Sequence, residues 1–346
     1  MNFPQSISLT ITNRCNLRCR MCGQWSEEGY LHTRKETLKQ ELELADWKRI
    51  IDELAAHQIP SLLIRGGEPF LFPHIIELLD YINSKGMFTS IDTNGTMLKD
   101  YAEDLVRIGK LHLTISVDGP EEIHDAVRGV KGCFQKIQEG VARLHERERT
   151  SDRTVSTSIN FTISPYSVKG LGAMPDIARN LGIRTICIVP YYYIPDEVGK
   201  VYECELKEHL GCSAFSWSGF HHDESGMDFE EFQTQHNTYL SRLDGFHDFP
   251  YLPLSEEEYQ TWFCDAVTSV RSVTCTNVEK LIDIQPRGEA NFCVDFPDYV
   301  IGNVKEATIA EVWNSDRANR FREYRRKQPL AVCYRCGAKY MSEITA

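Results

Sequence analysis

The sequence predicts an α/β fold: a partial (β/α)6 TIM-like barrel followed by a small C-terminal domain organised around cysteines. Three observations point there. Short β-branched runs alternate with amphipathic helical stretches between residues 7 and 190, and six such units are visible rather than the eight of a closed barrel. Beyond residue 190 the alternation stops. The cysteines, finally, gather towards the two ends of the chain.

Six stretches have the length and composition of strands: residues 7–13, SLLIRG (61–66), FTSIDT (88–93), LHLTISV (111–117), STSINFTI (156–163) and TICIVP (185–190). Each is bounded by turn residues. Between them, ADWKRIIDELAAH (45–57), PHIIELLDYINSKG (73–86), DYAEDLVRIG (100–109), FQKIQEGVARLHERE (134–148) and LGAMPDIARNLG (171–182) repeat apolar residues at helical spacing. Several close on glycine, a common helix C-cap. Strands and helices in this order imply a parallel sheet with right-handed crossovers, whose working loops lie at the C-terminal ends of the strands.

Residues 191–265 are aromatic-rich and irregular, and read as a linker or insertion near the barrel mouth. The last stretch is a compact unit: a hairpin turning at Pro286–Arg287–Gly288, a helical pattern over 307–327, then CYRCG. The expected organisation is therefore 1–190, 191–265 and 266–346.

No apolar run is long enough to cross a membrane, and MNFPQSISLTIT lacks the charged and apolar regions of a secretion signal. A cytoplasmic protein without a membrane partner is expected. The net charge of −12 argues against nucleic-acid binding through phosphate neutralisation. One stretch, DRANRFREYRRK (316–327), is locally basic. It is either the solvated face of a helix or a docking surface for an acidic electron donor.

Twelve cysteines in a reducing compartment suggest metal ligation rather than disulfides. Cys15, Cys19 and Cys22 follow the first strand in a C-x3-C-x2-C spacing. Such a loop is half a zinc site completed from elsewhere, or it holds three irons of a [4Fe–4S] cube and leaves the fourth open. Arg65-Gly66-Gly67-Glu68-Pro69 follows the second strand, where adjacent glycines let backbone approach a ligand. Near the other end Cys275, Cys293, Cys333 and Cys336 supply four thiolates, enough to close a site as zinc or as an iron–sulfur cluster. Cys133, Cys187, Cys204, Cys212 and Cys264 have no ligand spacing and read mostly as small buried hydrophobes.

With Met21 inside the cysteine loop, Gly66–Pro69, DTNGT (92–96) and SVDGPEEIHDAVRG (116–129), the chain resembles the radical S-adenosylmethionine (SAM) enzymes. The resemblance covers about residues 7–190. It implies that the open iron chelates SAM, that the reduced cluster cleaves it to a 5′-deoxyadenosyl radical, and that the GGEP backbone meets the methionyl amino group. Met21, Gly66, Gly67, Glu68, Pro69, Ser116 and Arg128 are then the cofactor contacts. The C-terminal spacing resembles the SPASM and twitch auxiliary-cluster domains. With no cysteine after Cys336 it implies the shorter twitch form, with one fully ligated [4Fe–4S] cluster that carries electrons.

On this resemblance the protein is an oxidoreductase drawing on a donor such as flavodoxin or ferredoxin. The expected substrate is a small polar molecule, a sugar or aminocyclitol losing two electrons. A ribosomally made precursor peptide is the alternative, and a zinc-binding scaffold the non-enzymatic one. Arg65, His221 and His222 are weak candidates for catalytic groups, since each also has an ordinary surface role.

Overall fold

The computed structural model describes residues 2–250, 254–271 and 274–338. The six expected strands form a parallel array: β1 (Ser6–Thr10), β2 (Ser61–Arg65), β3 (Phe88–Thr93), β4 (Leu111–Ser116), β5 (Ser156–Ile163) and β6 (Thr185–Pro190). Between them run α1 (Leu44–Ala56), α2 (Ile75–Ser84), α3 (Leu98–Ile108), α4 (Glu121–Arg128), α5 (Cys133–Glu148) and α6 (Met174–Leu181). The sheet stays open, as an incomplete barrel does.

The strands explain both faces of that sheet. Alternate residues (Ile7 and Leu9, Ile64, Ile91, Leu113 and Ile115, Ile159 and Phe161, Ile186 and Ile188) are buried in one core with Trp47, Ile50, Leu54, Leu78 and Leu105 of the helices. The period of two sends the remaining residues to the other face. There the register aligns Thr10 with Arg65, Asp92 with Thr114, Thr114 with Ser158 and Ser116 with Asn160. A closed TIM barrel fills its lumen with branched aliphatic side chains. This lumen is lined by polar ones.

Residues 191–265 are not a linker. They form α7 (Asp196–Glu205), a π-helical turn (Leu206–Leu210), a 3-10 turn (Ser216–Phe220), α8 (Phe229–Leu240), β7 (His247–Pro250) and α9 (Glu256–Cys264), and β7 adds a parallel strand beside β6. The aromatic richness that looked irregular is core. Tyr193, Tyr202, Phe232, Tyr239, Tyr259 and Trp262 are all at most 1% exposed.

Beyond lie α10 (Asn277–Lys280), β8 (Leu281–Ile284), β9 (Glu289–Asn291), β10 (Gly302–Asn303), α11 (Ile309–Trp313) and α12 (Asp316–Lys327). The expected hairpin is β8–β9, with Gly288 supplying the positive φ of its turn. Its outer strand continues the barrel sheet: β8 pairs in parallel with β1, Ser6 opposite Leu281 and Leu9 opposite Ile284. The sheet order is β10-β9-β8-β1-β2-β3-β4-β5-β6-β7, so it runs straight across the boundary expected at residue 265. Among the described residues no helix is long and apolar enough to cross a membrane.

Candidate active site

The cysteine loop leaves the top of β1 and is held by backbone from two sides. Gly67 N–H donates to Thr12 O at 2.8 Å and Glu68 N–H to Arg14 O at 2.7 Å. From the other side Arg18 and Arg20 N–H donate to Arg128 O and Val127 O at the end of α4, at 3.1 and 2.9 Å. This close docking explains the paired glycines: a Cβ on Gly66 would stand 2.5 Å from Thr12 O, and one on Gly67 2.2 Å from Arg14 O. Neither oxygen can move without moving the loop. Gly67→Ala is therefore expected to cost about 1–3 kcal/mol and to lower iron retention at the cysteine loop, measured by denaturant unfolding and iron analysis.

Cys15, Cys19 and Cys22 share a small cluster with Leu17, Met21 and Cys133. Burial, with the neighbouring thiols, pushes Cys15 up to about 12 and Cys19 up to about 11. Two neighbouring thiols that resist ionising, Cys15 and Cys19, mark a site in need of cationic charge. Their spacing speaks against zinc. Four sulfurs at about 2.3 Å from a zinc ion stand about 3.8 Å apart, yet among the described residues no three cysteine sulfurs lie mutually within 4.8 Å. In neither cysteine set do three sulfurs stand as close together as a tetrahedral zinc site would draw them.

The residues expected to touch SAM divide. Arg128 is turned towards the loop instead: its Nε pairs with buried Asp118 at 2.7 Å and its Nη1 meets Cys19 Sγ at 3.6 Å. Glu68 is fully buried, and its carboxylate receives Thr93 Oγ1 and Asn94 N at 2.8 Å and Phe70 N at 3.2 Å. Burial still pushes its pKa up to about 7. Glu68 thus ties the glycine turn to the end of β3, and Pro69 starts the buried 3-10 turn that follows. Met21 packs beside the thiols. Ser116 faces the lumen next to Asn160, whose buried Oδ1 has no partner.

His124, Asp125 and Cys133 converge within 4.8 Å, but the trio is a helix cap. Asp125 receives Phe134 N and Cys133 Sγ at 3.0 Å, and the short contact from Gly132 N, at the start of α5. His124 Nδ1 accepts Asp118 N–H at 3.1 Å.

Deeper in the lumen Arg65 stands among three carboxylates, Asp92, Asp283 and Asp295. Burial pushes all three up, and the Arg65 guanidinium pulls each back. Arg65 Nη2 lies 3.8 Å from Asp295 Oδ1, and Tyr192 donates to Asp295. These carboxylates, and Asn160, went unnoticed in the sequence. The polar alternation of the strands was the available signal. His221 and His222 sit elsewhere: His221 stands edge-on to Trp217 and 3.7 Å from Asp223, and His222 N–H donates to Ile194 O.

Cys275, Cys293, Cys333 and Cys336 line one cavity together with Asp295, Arg325, Tyr202, Phe292 and Phe296. Burial and mutual repulsion push Cys293 and Cys336 well above the ordinary thiol value. The unit is latched to the cysteine loop through Asp298. Its carboxylate receives Tyr202 Oη at 2.9 Å, Phe215 N at 2.6 Å and Ser216 N at 2.9 Å. The turn so held presses Gly219 onto the backbone of Gly23, where a Cβ would meet the Gly23 carbonyl at 1.8 Å.

Known proteins match this architecture in two parts. The radical SAM superfamily model matches residues 9–162, and the SPASM model, an iron–sulfur cluster-binding domain, matches residues 275–337. Fe-coproporphyrin III synthase of Methanosarcina barkeri is 31% identical over 184 residues, 53% of this chain and 43% of that protein. The chain thus spans less than half of that relative. The subtilosin biosynthesis protein AlbA of Bacillus subtilis is 25% identical over 359 aligned residues, 99% of this chain and 69% of AlbA. Among solved structures, Streptococcus suis SuiB bound to S-adenosylmethionine superposes with a TM-score of 0.62 at 15% identity, over 96% of this chain and 68% of SuiB. AnSMEcpe with bound AdoMet gives 0.62 at 15%, over 92% and 82%. At such identity these two speak for the fold. On the two domain matches the chain belongs to the radical SAM superfamily, as an enzyme of S-adenosylmethionine and [4Fe–4S] clusters with a C-terminal SPASM domain.

Proposed function

We propose that the protein is a maturase that removes two electrons from a ribosomally made peptide held in the polar lumen. The observation that carries this reading is the position of Asp295. It lines the four-cysteine cavity and also faces Arg65, the residue before Gly66–Gly67. Lumen and cavity share a wall about one side chain thick, short enough for an electron to pass. Cys15, Cys19 and Cys22 would hold the cluster that, with SAM, would supply the one-electron hydrogen-abstracting chemistry, and Cys275, Cys293, Cys333 and Cys336 would hold a second cluster that would supply an acceptor for the remaining electron.

The chain's own residues bind and orient. Because the Gly67 and Glu68 N–H groups serve the cysteine loop, the turn offers carbonyl oxygens to the amino group of SAM. Ser116 and Asn160 stand side by side for hydroxyl or amide groups, and Arg65 orients polar groups of the substrate. Asp92 is the lumen carboxylate placed to take the proton, since burial makes it more basic than an ordinary carboxylate. The reducing electron comes from a donor such as flavodoxin or ferredoxin.

A peptide fits the relatives better than the sugar or aminocyclitol suggested by the cysteine spacing, which receives no support from them. AlbA, a bacteriocin biosynthesis protein, aligns across nearly the whole chain. The sporulation killing factor maturation protein SkfB and the PqqA peptide cyclase are 31% and 29% identical over 42% and 51% of it. Fe-coproporphyrin III synthase matches only about half. The test is anaerobic co-expression with short reading frames encoded beside this gene, followed by mass spectrometry. A peptide lighter by two hydrogens is expected. Unchanged peptides, together with oxidation of a small polar alcohol, would return the reading to the small molecule.

A further inference from the structure

We propose that Arg325 raises the midpoint potential of the C-terminal cluster, making that site an electron acceptor; this rests on Cys275, Cys293, Cys333 and Cys336 being its ligands. The basic stretch 316–327 becomes α12, on which Arg317, Arg320 and Arg326 stay exposed while reaching protein partners and Arg322 is buried. Arg322 is buried against Phe292 and Trp313 and donates to Val278 O at 2.9 Å and Trp313 O at 2.8 Å. Arg317 reaches Val300 O, Arg320 reaches His209 O, and Arg326 pairs with Glu279 at 2.7 Å. These contacts give each of the four side chains partners away from the cysteines.

Arg325 is different. It donates to Gln328 O at 2.9 Å, and its guanidinium forms part of the wall of the four-cysteine cavity, where its charge acts on all four thiols. Among the described residues it is the cationic side chain on that wall. The acidic groups nearby have partners of their own, although Asp295 shares the cavity wall and its charge opposes that of Arg325 at Cys336. Asp295 faces Arg65 and Tyr192, Asp298 holds the 215–216 turn, and Glu205 receives Ala331 N–H at 2.8 Å. A four-thiolate cluster becomes more negative by one charge when reduced. A fixed guanidinium beside it therefore stabilises the reduced form more than the oxidised one, and burial keeps the interaction from being screened.

The test compares wild type, R325Q and R325K, each reconstituted anaerobically, by iron analysis and by potentiometric titration followed by electron paramagnetic resonance. For R325Q the expected result is unchanged iron, an unchanged potential at the N-terminal cluster, and a lower potential at the C-terminal one. A drop of about tenfold in the reduction constant corresponds to about 59 mV for a one-electron couple. R325K, which keeps the charge, stays near wild type. An unmoved C-terminal potential in R325Q, or an equal drop in R325K, overturns the assignment. So does loss of the C-terminal iron in R325Q, which would make Arg325 a holder of the site rather than its tuner. If wild type itself binds about four irons rather than about eight, the ligand reading fails instead, before any variant is compared.

Discussion

Alanine at Cys15, Cys19 and Cys22 together abolishes 5′-deoxyadenosine formation and removes about four of about eight irons per chain. The fold survives this change, because the loop is docked by its backbone on the glycine turn and on the end of α4; circular dichroism of the variant matches wild type. Cys133 cannot stand in for the missing ligands. It touches Cys19, but its thiol donates to Asp125 at 3.0 Å beneath the N-terminus of α5. Anaerobic assay with dithionite and chromatographic detection of 5′-deoxyadenosine is the check. Persistent cleavage in the triple variant would remove the basis for placing SAM chemistry at this loop.

Alanine at Cys333 and Cys336 separates two activities that wild type couples. SAM cleavage stays within about tenfold of wild type, a difference of about 1.4 kcal/mol in barrier, while the modified product disappears. The segment carrying these cysteines is anchored by groups other than sulfur. Arg335, fully buried between them, donates to Trp262 O at 2.9 Å, Ala266 O at 2.8 Å and Thr268 O at 3.1 Å. Iron falls to about four per chain, and the protein remains soluble. A variant that fails to fold, or one that still makes product, would assign the C-terminal cysteines to structure alone.

The legible part of the fold was the part governed by local pattern. β2, β3, β5 and β6 lie where β-branched runs meet turn residues. β1 ends earlier than its pattern, at Thr10, because Ile11 to Asn13 peel away to start the cysteine loop: Ile11 N–H still reaches Arg65 O, while Thr12 Oγ1 and Asn13 N go to Glu41. Residues 191–265 were opaque because their aromatic side chains pack from several directions, which leaves no single periodic stripe to read. At the site, thiol spacing and adjacent glycines are short-range signals and were visible. What Arg128 and Glu68 touch depends on partners many residues away, Cys19 and Asp118 for one, Thr93 and Asn94 for the other. Arg65 was visible, but the carboxylates gathered round it come from β3, β8 and the segment after β9. Only the three-dimensional register unites them.

The pairing of β1 with β8 reaches into the history of each molecule as it is made. Residues 6–9 leave the ribosome well before residues 281–284, and until β8 has been made one edge of β1 offers unpaired N–H and C=O groups. Such an edge invites association with other chains, and contacts of so large a sequence separation form slowly. The strand that carries the cysteine loop is therefore completed only once β8 has been made. Expression at lower temperature, where hydrophobic association of unfinished chains is weaker, should raise the yield of soluble protein.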